Sequence, residues 1–303
     1  MDENDWLQQP AHHLIPRGDA GYPDLLEQIS GAPAQLFVNG DPGLLHMPAL
    51  AIVGSRNPTR AGARNAFEFA RHLASCGFCI VSGLAEGIDT AAHRGALDAG
   101  AATIAFLGHG IDRVYPASNR DLAHQIAQHG ALVSEFPLGT PPGKANFPQR
   151  NRLISGVSIG TLVVEAARRS GSLITARHAG DQGREIFALP GSIHNPLARG
   201  CHQLIRQGAK LVETADDILA ELAPLVAHIR QNTVKSTASA TPADVLDDEY
   251  QLLKKHLGHD PAGIDELAEN SGLTIEQVSS MLLILELEGE VESLSGGRYS
   301  LLG

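Results

Sequence analysis

The sequence predicts a doubly wound α/β domain with a mainly parallel sheet, followed by a small helical domain. Short apolar segments alternate with helical patterns from residue 50 onward, and glycine-containing turns follow several of them. Strands that are apolar on both faces and alternate with helices are typical of a parallel sheet covered by helices on both sides. A chain of 303 residues also exceeds the usual size of one domain, so a second, smaller domain is expected.

The elements of the large domain are predicted in a regular order. Strands are expected at 50–53, 78–81, 102–107, 132–134, 160–165 and 185–188. Helices are expected at 63–74, 90–99 and 119–128. We delimit this domain as residues 46–222 and expect residues 1–45 to form an N-terminal extension that packs on its core. Ligands of doubly wound sheets bind beyond the carboxyl ends of the strands, so the residues after each strand are the first candidates for a site.

The remainder of the chain is predicted to be a linker and a winged-helix domain. Residues 223–246 contain the polar stretch QNTVKSTASATPAD, which lacks apolar periodicity and indicates a linker. Residues 247–303 show three helical patterns followed by two short strands, an order that resembles a winged helix. The third helix and its end carry Glu276, Glu286 and Glu288 but no Lys or Arg. We therefore expect this domain to contact protein or to pack, rather than to bind duplex DNA.

Charge is distributed unevenly along the chain. The formal net charge of -11 by itself argues against binding of nucleic acid, because phosphates need positive potential. Residues 50–210, however, hold 17 Lys and Arg against 10 Asp and Glu, whereas residues 1–49 hold 1 against 7 and residues 244–303 hold 3 against 13. A polyanion is therefore expected to bind the middle of the chain and neither end.

Several other classes of protein are excluded by the sequence. There is no run of about eighteen apolar residues, and the N-terminal stretch MDENDWLQQPAHH resembles no secretory signal, so we expect a cytoplasmic protein without membrane contact. Cys76 and Cys79 form a C-x-x-C pair, but they lie between a predicted helix and a strand, where we expect apolar fillers rather than redox chemistry. No cofactor is expected, since the glycine turns lack the spacing of dinucleotide and Walker motifs. No metal is expected either, since no third ligand is spaced with Asp89 and His93.

Two glycine-containing turns follow the first two strands. In the first, Gly54-Ser55-Arg56, the glycine permits close approach of the backbone and the arginine is a forked phosphate donor. This turn fits a phosphate site or an ordinary strand-to-helix turn equally well. The second contains Gly83 and leads to Asp89 and Thr90, one of which is expected to cap the next helix. His93, one helical turn after Asp89, is expected to make a structural polar contact.

The stretch GKANFPQRNRLISG, at residues 143–156, has the composition most indicative of a binding site. It is predicted to be a loop at a strand end, and Lys144, Phe147, Arg150 and Arg152 place three cations and an aromatic ring within nine residues. Neutralisation of phosphates together with a stacking face is what sequence-tolerant binding of single strands requires. The alternative is a solvated basic loop with Phe147 in the core and Arg152 in a partly structural role.

A last candidate segment follows the predicted strand 160–165. Ser170, Gly171 and Ser172 stand at the start of another helix, where their amides and hydroxyl groups suit a phosphate. Capping of the helix explains these residues equally well.

Eight motifs resemble, in order and spacing, those of the DprA/Smf family. They are GSRNPT (54–59), SGLAEGIDTAAH (82–93), DRVYP (112–116), SEFP (134–137), FPQRNRLISG (147–156), VVEAARRSGSLITA (163–176), ALPG (188–191) and GCHQLI (200–205). The resemblance covers about residues 15–220. It implies a Rossmann-like core that binds single-stranded DNA, forms a homodimer and loads a RecA-type recombinase during natural transformation, without being an enzyme.

The resemblance also implies the roles of particular residues. Arg56 falls on the arginine of the family's GSR motif, and Lys144 and Phe147 fall on its strand-binding lysine and stacking aromatic. Arg150 and Arg152 are weaker candidates. We therefore expect a DNA site made of Gly54, Ser55, Arg56, Gly83, Lys144, Phe147, Arg150, Asn151, Arg152, Ser170, Gly171 and Ser172.

The family's dimer-forming region falls on the segment that follows residue 200. His202, Ile205 and Leu211 are thereby implied to lie at a two-fold contact. Such a contact places two basic pockets on one particle, so that one strand engages both and gains avidity.

Two other functions are kept as alternatives. The segment from Gly160 to Glu165 faintly resembles nucleotide-hydrolysing relatives of this Rossmann group, but Ser158-Ile159 replaces their leading glycines and Glu165 is displaced by one position. A duplex-binding regulator that acts through the winged helix is opposed by the acidic third helix. Release of nucleotide would support the first alternative, and preference for a specific duplex over oligo-dT would support the second.

Overall fold

The structure is a computed structural model that describes residues 2–223, 225, 252–257, 262–271, 278, 281, 282, 285, 291–294 and 298–301. The chain divides into two compact units, Met1–His228 and Ile229–Gly303. Most of the predicted linker, and Glu276, Glu286 and Glu288 of the predicted third helix, lie outside the described residues. In the described part of the chain, no helix is long and apolar enough to cross a membrane.

A single mainly parallel sheet forms the centre of the first unit, as predicted. Its strands are β1 (His12–Pro16), β2 (Gln35–Gly40), β3 (Ala49–Val53), β4 (Cys79–Ser82), β5 (Thr103–Leu107), β6 (Ala131–Ser134), β7 (Gly160–Val163), β8 (Glu185–Ala188) and β9 (Lys210–Leu211). Their order across the sheet is β1-β2-β6-β5-β4-β3-β7-β8-β9. The strands from β3 to β9 all run parallel to one another, whereas β2 is antiparallel to both β1 and β6. The N-terminal segment therefore contributes the last two strands at one side of the sheet, and the sequence pattern did not predict them.

Helices cover both faces of this sheet. They are α1 (Glu3–Leu7), α2 (Asp24–Glu27), α3 (Arg60–Ser75), α4 (Ile88–Asp98), α5 (Arg120–His129), α6 (Asn146–Gly156), α7 (Ser172–Asp181) and α8 (Arg199–Arg206), and residues 215–223 are also helical. Alternate residues of β5 enter different cores. Ile104 and Phe106 pack in a core with α6, α7 and α8, whereas Ala105 and Leu107 pack in a core with α5. The doubly wound architecture thus follows from strands that are apolar on both faces.

The basic stretch that was predicted to be a loop is helical, and that prediction is wrong. Helix α6 begins at Asn146 and continues to Gly156. Pro148 does not prevent this, because a proline in the first turn of a helix gives up an N–H that has no partner inside the helix. Leu153 and Ile154 are buried and anchor the helix against the sheet. The predicted strand at 160–165 is shorter than expected, since β7 ends at Val163.

The second unit has its own small core. It contains a helix at Ile264–Ser271 and the strands Ala262–Gly263, Val291–Leu294 and Arg298–Leu301, which pair as an antiparallel sheet. Residues 252–257 are helical. The buried side chains of this unit include Leu253, Leu257, Leu267, Val278, Leu282 and Val291.

Candidate nucleic-acid interface

The carboxyl ends of the parallel strands open into a pocket with a volume of about 430 Å³. The sequence rule for doubly wound sheets placed a site at this edge. Nine of the predicted site residues line the pocket, and they are Gly54, Arg56, Lys144, Phe147, Arg150, Asn151, Ser170, Gly171 and Ser172. Gly83 lines a small adjoining cavity of about 50 Å³, whose walls share Arg56 and Phe147 with the pocket. Segments far apart in the sequence therefore meet at one place.

An aromatic row with a cation on it forms one wall of the pocket. The guanidinium carbon of Arg56 lies 5.4 Å from the centroid of the Phe147 ring, within the range of a cation–π contact. The ring of Tyr115 lies 5.8 Å from that of Phe147, at an interplanar angle of 30°. Tyr115 is 47% exposed, so the row is open to a ligand.

The backbone after β5 supports the Phe147 ring from behind. A Cβ atom added to Gly108 would lie 2.8 Å from Cδ1 and 3.2 Å from Cε1 of that ring. Carbon atoms make their best contacts at about 3.5–4.0 Å, so only a glycine lets the ring rest this close to the main chain. Gly108 therefore fixes the position of the stacking face.

Arg150 lies beneath the pocket and ties two strand ends together. It is only 4% exposed. Its Nη1 atom donates to the carbonyl oxygen of Gly83 at 2.7 Å and also to that of Phe106, which are the residues at the ends of β4 and β5. Burial lowers the pKa of Arg150 to about 10, while the nearby Asp89 opposes this change. Arg150 thus acts as a structural cation that shapes the floor of the pocket.

The loop between β4 and α4 is held by Asp89 and Thr90, neither of which caps the helix as predicted. The cap position is occupied by Gly87 and has no side-chain hydrogen bond. Oδ2 of Asp89 instead accepts from the amides of Gly83 at 3.1 Å and Ala85 at 3.3 Å, and Oγ1 of Thr90 donates to the Ala85 carbonyl. The loop folds back over the start of α4, so the Asp89 carboxylate bonds to amides of the loop instead of capping the helix. Burial raises the pKa of Asp89, and the amides and Arg150 counteract that rise.

The structure does not bring Arg152 into the pocket, contrary to the sequence-based expectation. Its side chain is 16% exposed and forms an ion pair with Glu135. Residues 150 and 152 point to different sides of α6, because a separation of two positions in a helix corresponds to a rotation of about 200°. Ser55 lies beside the pocket without lining it.

The start of α7 forms the opposite rim. Oγ of Ser170 lies 2.6 Å from Oγ of Ser172, and the amide of Ser172 donates to Ser170 Oγ at 3.3 Å. Nδ2 of Asn151 donates to the carbonyl oxygen of Gly171 at 3.4 Å and so links α6 to this turn. A helix that begins at the rim contributes its positive dipole end and favours an anion there.

Glu165, which was considered as a catalytic residue, has a structural role. Its Oε2 atom accepts from the amide of Thr59 at 2.9 Å, and its Oε1 atom accepts from Thr59 Oγ1 at 2.7 Å. Nδ2 of Asn195 donates to Oε1 at 3.5 Å. Thr59 is the N-cap of α3, so Glu165 holds that cap in place. Both carboxylate oxygens are engaged in these hydrogen bonds.

Two cations of the pocket are available to a ligand. Arg56 and Lys144 are exposed, and neither forms an ion pair with any of the described residues. Sequence reasoning missed two residues of this site, Tyr115 and Gly108. The signal for Tyr115 was present in the DRVYP motif, which places an aromatic residue in the loop after β5. The role of Gly108 depends on ring packing that only the fold reveals.

Cys76 and Cys79, the C-x-x-C pair, lie in environments that do not favour redox chemistry. Cys76 is exposed at the end of α3, whereas Cys79 is buried in β4, and burial raises the pKa of the Cys79 thiol to about 12. A redox-active pair needs a stabilised thiolate, so this environment opposes redox chemistry. Over the described ranges, no group of three or more His, Cys, Asp and Glu side chains is arranged to hold a metal ion.

Comparison with known proteins places these features in a family. A family model described as DNA recombination-mediator protein A matches residues 13–223. A second model, described as the DprA winged helix domain, matches residues 237–297. The C-terminal domain is therefore a winged helix, as the sequence pattern predicted.

Curated proteins and solved structures agree with these matches. Protein Smf from Escherichia coli strain K12 is 45% identical over 293 residues, which cover 96% of this chain and 78% of that protein. The X-ray structure of DNA processing protein A from Streptococcus pneumoniae has a TM-score of 0.68 at 44% identity and covers 72% of this chain and 76% of that chain. A structure of DNA processing protein A from Helicobacter pylori, described for its unique single-stranded DNA binding mode, has a TM-score of 0.64 at 30% identity and covers 70% of this chain and 96% of that chain.

Fold and site together define a Rossmann-like protein with a basic stacking pocket at its strand ends and a C-terminal winged helix. The chain belongs to the DprA/Smf family, the family of DNA recombination-mediator protein A. Members of this family are DNA-processing proteins.

Proposed function

We propose that this protein binds single-stranded DNA without sequence preference in the strand-end pocket, protects the strand and loads a RecA-type recombinase onto it during natural transformation. One observation carries the DNA-binding part of the proposal. The Phe147 ring lies close to both Arg56 and the exposed Tyr115, at the wall of a basic pocket. A stacking face beside free cations suits single strands, because every base has a π-face and every nucleotide has a phosphate.

The pocket has one aromatic wall and one polar wall, and this division favours binding of a single strand over binding of a duplex. Bases stack on the aromatic row, while phosphates meet Lys144 and the turn at Ser170–Ser172. In a duplex the bases are already stacked on one another, so they do not reach the Phe147 ring. None of the contacts in this arrangement distinguishes one base edge from another, which accounts for the absence of sequence preference.

Recombinase loading and the role in transformation are proposed from the family. The matching family model describes a recombination mediator, and relatives are described as DNA processing proteins. A mediator has to hold a strand loosely enough to release it. Contacts to backbone and base faces provide this, because their strength is tuned by salt and by the number of sites engaged.

A homodimer through α8 and β9 completes the proposal. Leu211 lies on the edge strand β9 and is 45% exposed. Ile193, which precedes α8 in the sequence, is 73% exposed. Ile205 packs partly against the core, and Nε2 of His202 lies 3.0 Å from the Gly191 carbonyl oxygen. Sedimentation of Leu211→Glu should yield a monomer, whereas Met47→Glu, at an exposed apolar residue of the first unit, should leave the dimer intact. A monomeric wild type would contradict this part of the proposal.

We propose no catalytic activity for this protein. The carboxylate of Glu165 accepts hydrogen bonds from the N-cap residue of α3, and the buried carboxylate of Asp89 accepts hydrogen bonds from loop amides. Incubation with nucleoside monophosphates and with single-stranded DNA should release neither base nor nucleotide. Detection of either product that disappears in Glu165→Gln would favour the nucleotide-hydrolysing alternative.

Binding of labelled oligo-dT and of a matched duplex at two salt concentrations tests the DNA-binding proposal. The wild type should prefer the single strand, and its affinity should fall with salt. Arg56→Ala, Lys144→Ala and Phe147→Ala should each weaken binding. A preference for duplex, or variants that bind as the wild type does, would redirect attention to the winged helix.

A further inference from the structure

A second basic groove adjoins the strand-end pocket. It has a volume of about 570 Å³ and is lined by residues of α7, β8, α8 and the turn before α7. Ser170 and Ile174 line both the groove and the pocket, so the two cavities share a wall. We call this cavity the arginine groove, because its lining includes Arg168, Arg169 and Arg177.

The three arginines of the groove have no structural task in the described part of the chain. All three are exposed, and none forms an ion pair with a described residue. The lining contains one acidic residue, Asp181. Three cations against one carboxylate give the groove a positive potential that attracts a polyanion.

The floor of the groove is suited to the faces of bases. It is formed by the apolar side chains Leu173, Ile174, Ala176, Ile186 and Leu204. Gln203 and Gln207, one helical turn apart on α8, add amide groups at its side. The groove therefore combines an apolar floor for bases with a cationic rim for phosphates, as the pocket does, although its described lining residues include no aromatic ring.

We propose that a single strand that occupies the pocket continues over Ser170 into the arginine groove, where Arg168, Arg169 and Arg177 contact its phosphates. This inference rests on the proposed function, since it extends the strand beyond the first site. The groove adds affinity for long strands, whereas a short strand is bound by the pocket alone.

The groove stays open when α8 forms the proposed dimer contact. At about 100° per residue, His202 and Ile205 lie roughly 150° around the helix from the direction that Gln203 and Gln207 share. Residues of α8 that face the groove are therefore not those assigned to the two-fold contact. A strand that leaves the pocket through the groove runs towards α8, and so towards the partner protomer of the proposed dimer.

The test compares short and long strands on matched arginine variants. Arg168→Ala/Arg169→Ala and Arg177→Ala remove groove cations, whereas Arg64→Ala/Arg94→Ala removes two exposed cations that line none of the cavities described here. Affinity is measured for oligo-dT of about four nucleotides and for an oligomer of about sixteen nucleotides, which span the range of site sizes usual for single-strand binding domains. Each is measured over a range of salt concentrations.

The groove double variant should bind the long strand about ten- to thirtyfold more weakly than the Arg64→Ala/Arg94→Ala control at 0.1 M salt, with a salt slope lower by about 1.4, because each phosphate contact on a single strand contributes about 0.7. Affinity for the short strand should be unchanged. Equal binding of the long strand by the groove and control variants would overturn the proposal, as would a loss that affects short and long strands alike. Weaker binding to a RecA-type protein with unchanged binding of DNA would also overturn it, in favour of a protein partner.

Lys144→Ala separates this inference from the proposed function. If Lys144→Ala weakens binding of both strand lengths while the groove variants behave as the control does, the pocket is the site and the groove is not. If Lys144→Ala also has no effect, the proposed function itself fails.

Discussion

Replacement of Phe147 by leucine isolates the stacking face from the charge of the pocket. Leucine keeps an apolar side chain over Gly108 but removes the flat π-surface and the cation–π contact with Arg56, which lies 5.4 Å from the ring centroid. The charges of the pocket remain in place. Any loss of affinity then reports on stacking and on the positioning of Arg56.

The expected loss follows from the number of bases on the ring. One base stacked on an aromatic side chain contributes about 1–3 kcal/mol, which corresponds to a loss of about 5- to 150-fold in affinity. The free energy of unfolding should change little, because the ring is only partly buried. The slope of affinity against salt should stay that of the wild type, since no phosphate contact is removed.

Titration of labelled oligo-dT at several salt concentrations measures both quantities. Phe147→Trp serves as the matched control, because it retains a π-face and should bind within a fewfold of the wild type. Lys144→Ala should instead lower both the affinity and the salt slope. The reasoning is refuted if Phe147→Leu binds as tightly as the wild type, or if tryptophan and leucine are equally damaging.

Three further predictions concern the supports of the pocket and the buried groups beneath it. Gly108→Ala should displace the Phe147 ring, because the Cδ1 atom of the ring would lie 2.8 Å from the new methyl group. The variant should therefore bind oligo-dT more weakly, with little change in the slope of affinity against salt. Unchanged affinity would show that the position of the ring is unimportant. Arg150→Met should lower the free energy of unfolding by about 2–6 kcal/mol in urea titrations, because it leaves the buried carbonyl oxygens of Gly83 and Phe106 without their donor. It also removes the cation near the Asp89 carboxylate, so adding Asp89→Asn should restore part of the loss, and additive losses in the double variant would contradict an electrostatic coupling between the two residues. Burial lowers the pKa of His93 to about 3, below its unfolded value near 6.5, so the unfolded chain takes up a proton first and stability falls as pH drops from about 6.5 towards 3. Between pH 7 and pH 5 the wild type should therefore lose about 2 kcal/mol more than His93→Gln, and equal losses would show that His93 does not contribute.

Six strands of the large domain, β3 to β8, were predictable because burial on both faces leaves a simple signal, and so were the helices α3, α4 and α5 between them. Apolar runs such as Ala49–Val53 lie within a residue of where the sequence places them. The two N-terminal strands were missed, since His12–Pro16 begins with two histidines and ends in a proline, and Gln35–Gly40 ends in Asn-Gly, which locally indicates a turn. Pairing with β6 overrides that local signal.

The location of the site was predictable from the sequence, but the roles of its charged residues were not. The rule that ligands bind at strand ends gathers Arg56 and Lys144 at one edge. Arg150 and Arg152 belong to one short motif, and only the helical conformation of α6 gives them different roles. Arg150 is buried and donates to the backbone at a strand end, whereas Arg152 forms an ion pair with Glu135. Because the motif was interpreted as a loop, its helical faces could not be assigned from the sequence.

Photochemical crosslinking tests the central claim most directly. Oligo-dT that carries a single 5-iododeoxyuridine is irradiated on the full chain, and the crosslinked peptide is identified by mass spectrometry. Aromatic side chains that stack on the modified base react, so the adduct should map to Phe147 or Tyr115 and should disappear when Phe147→Leu and Tyr115→Leu are combined. An adduct confined to residues 247–303 would place the strand on the winged helix and contradict the account.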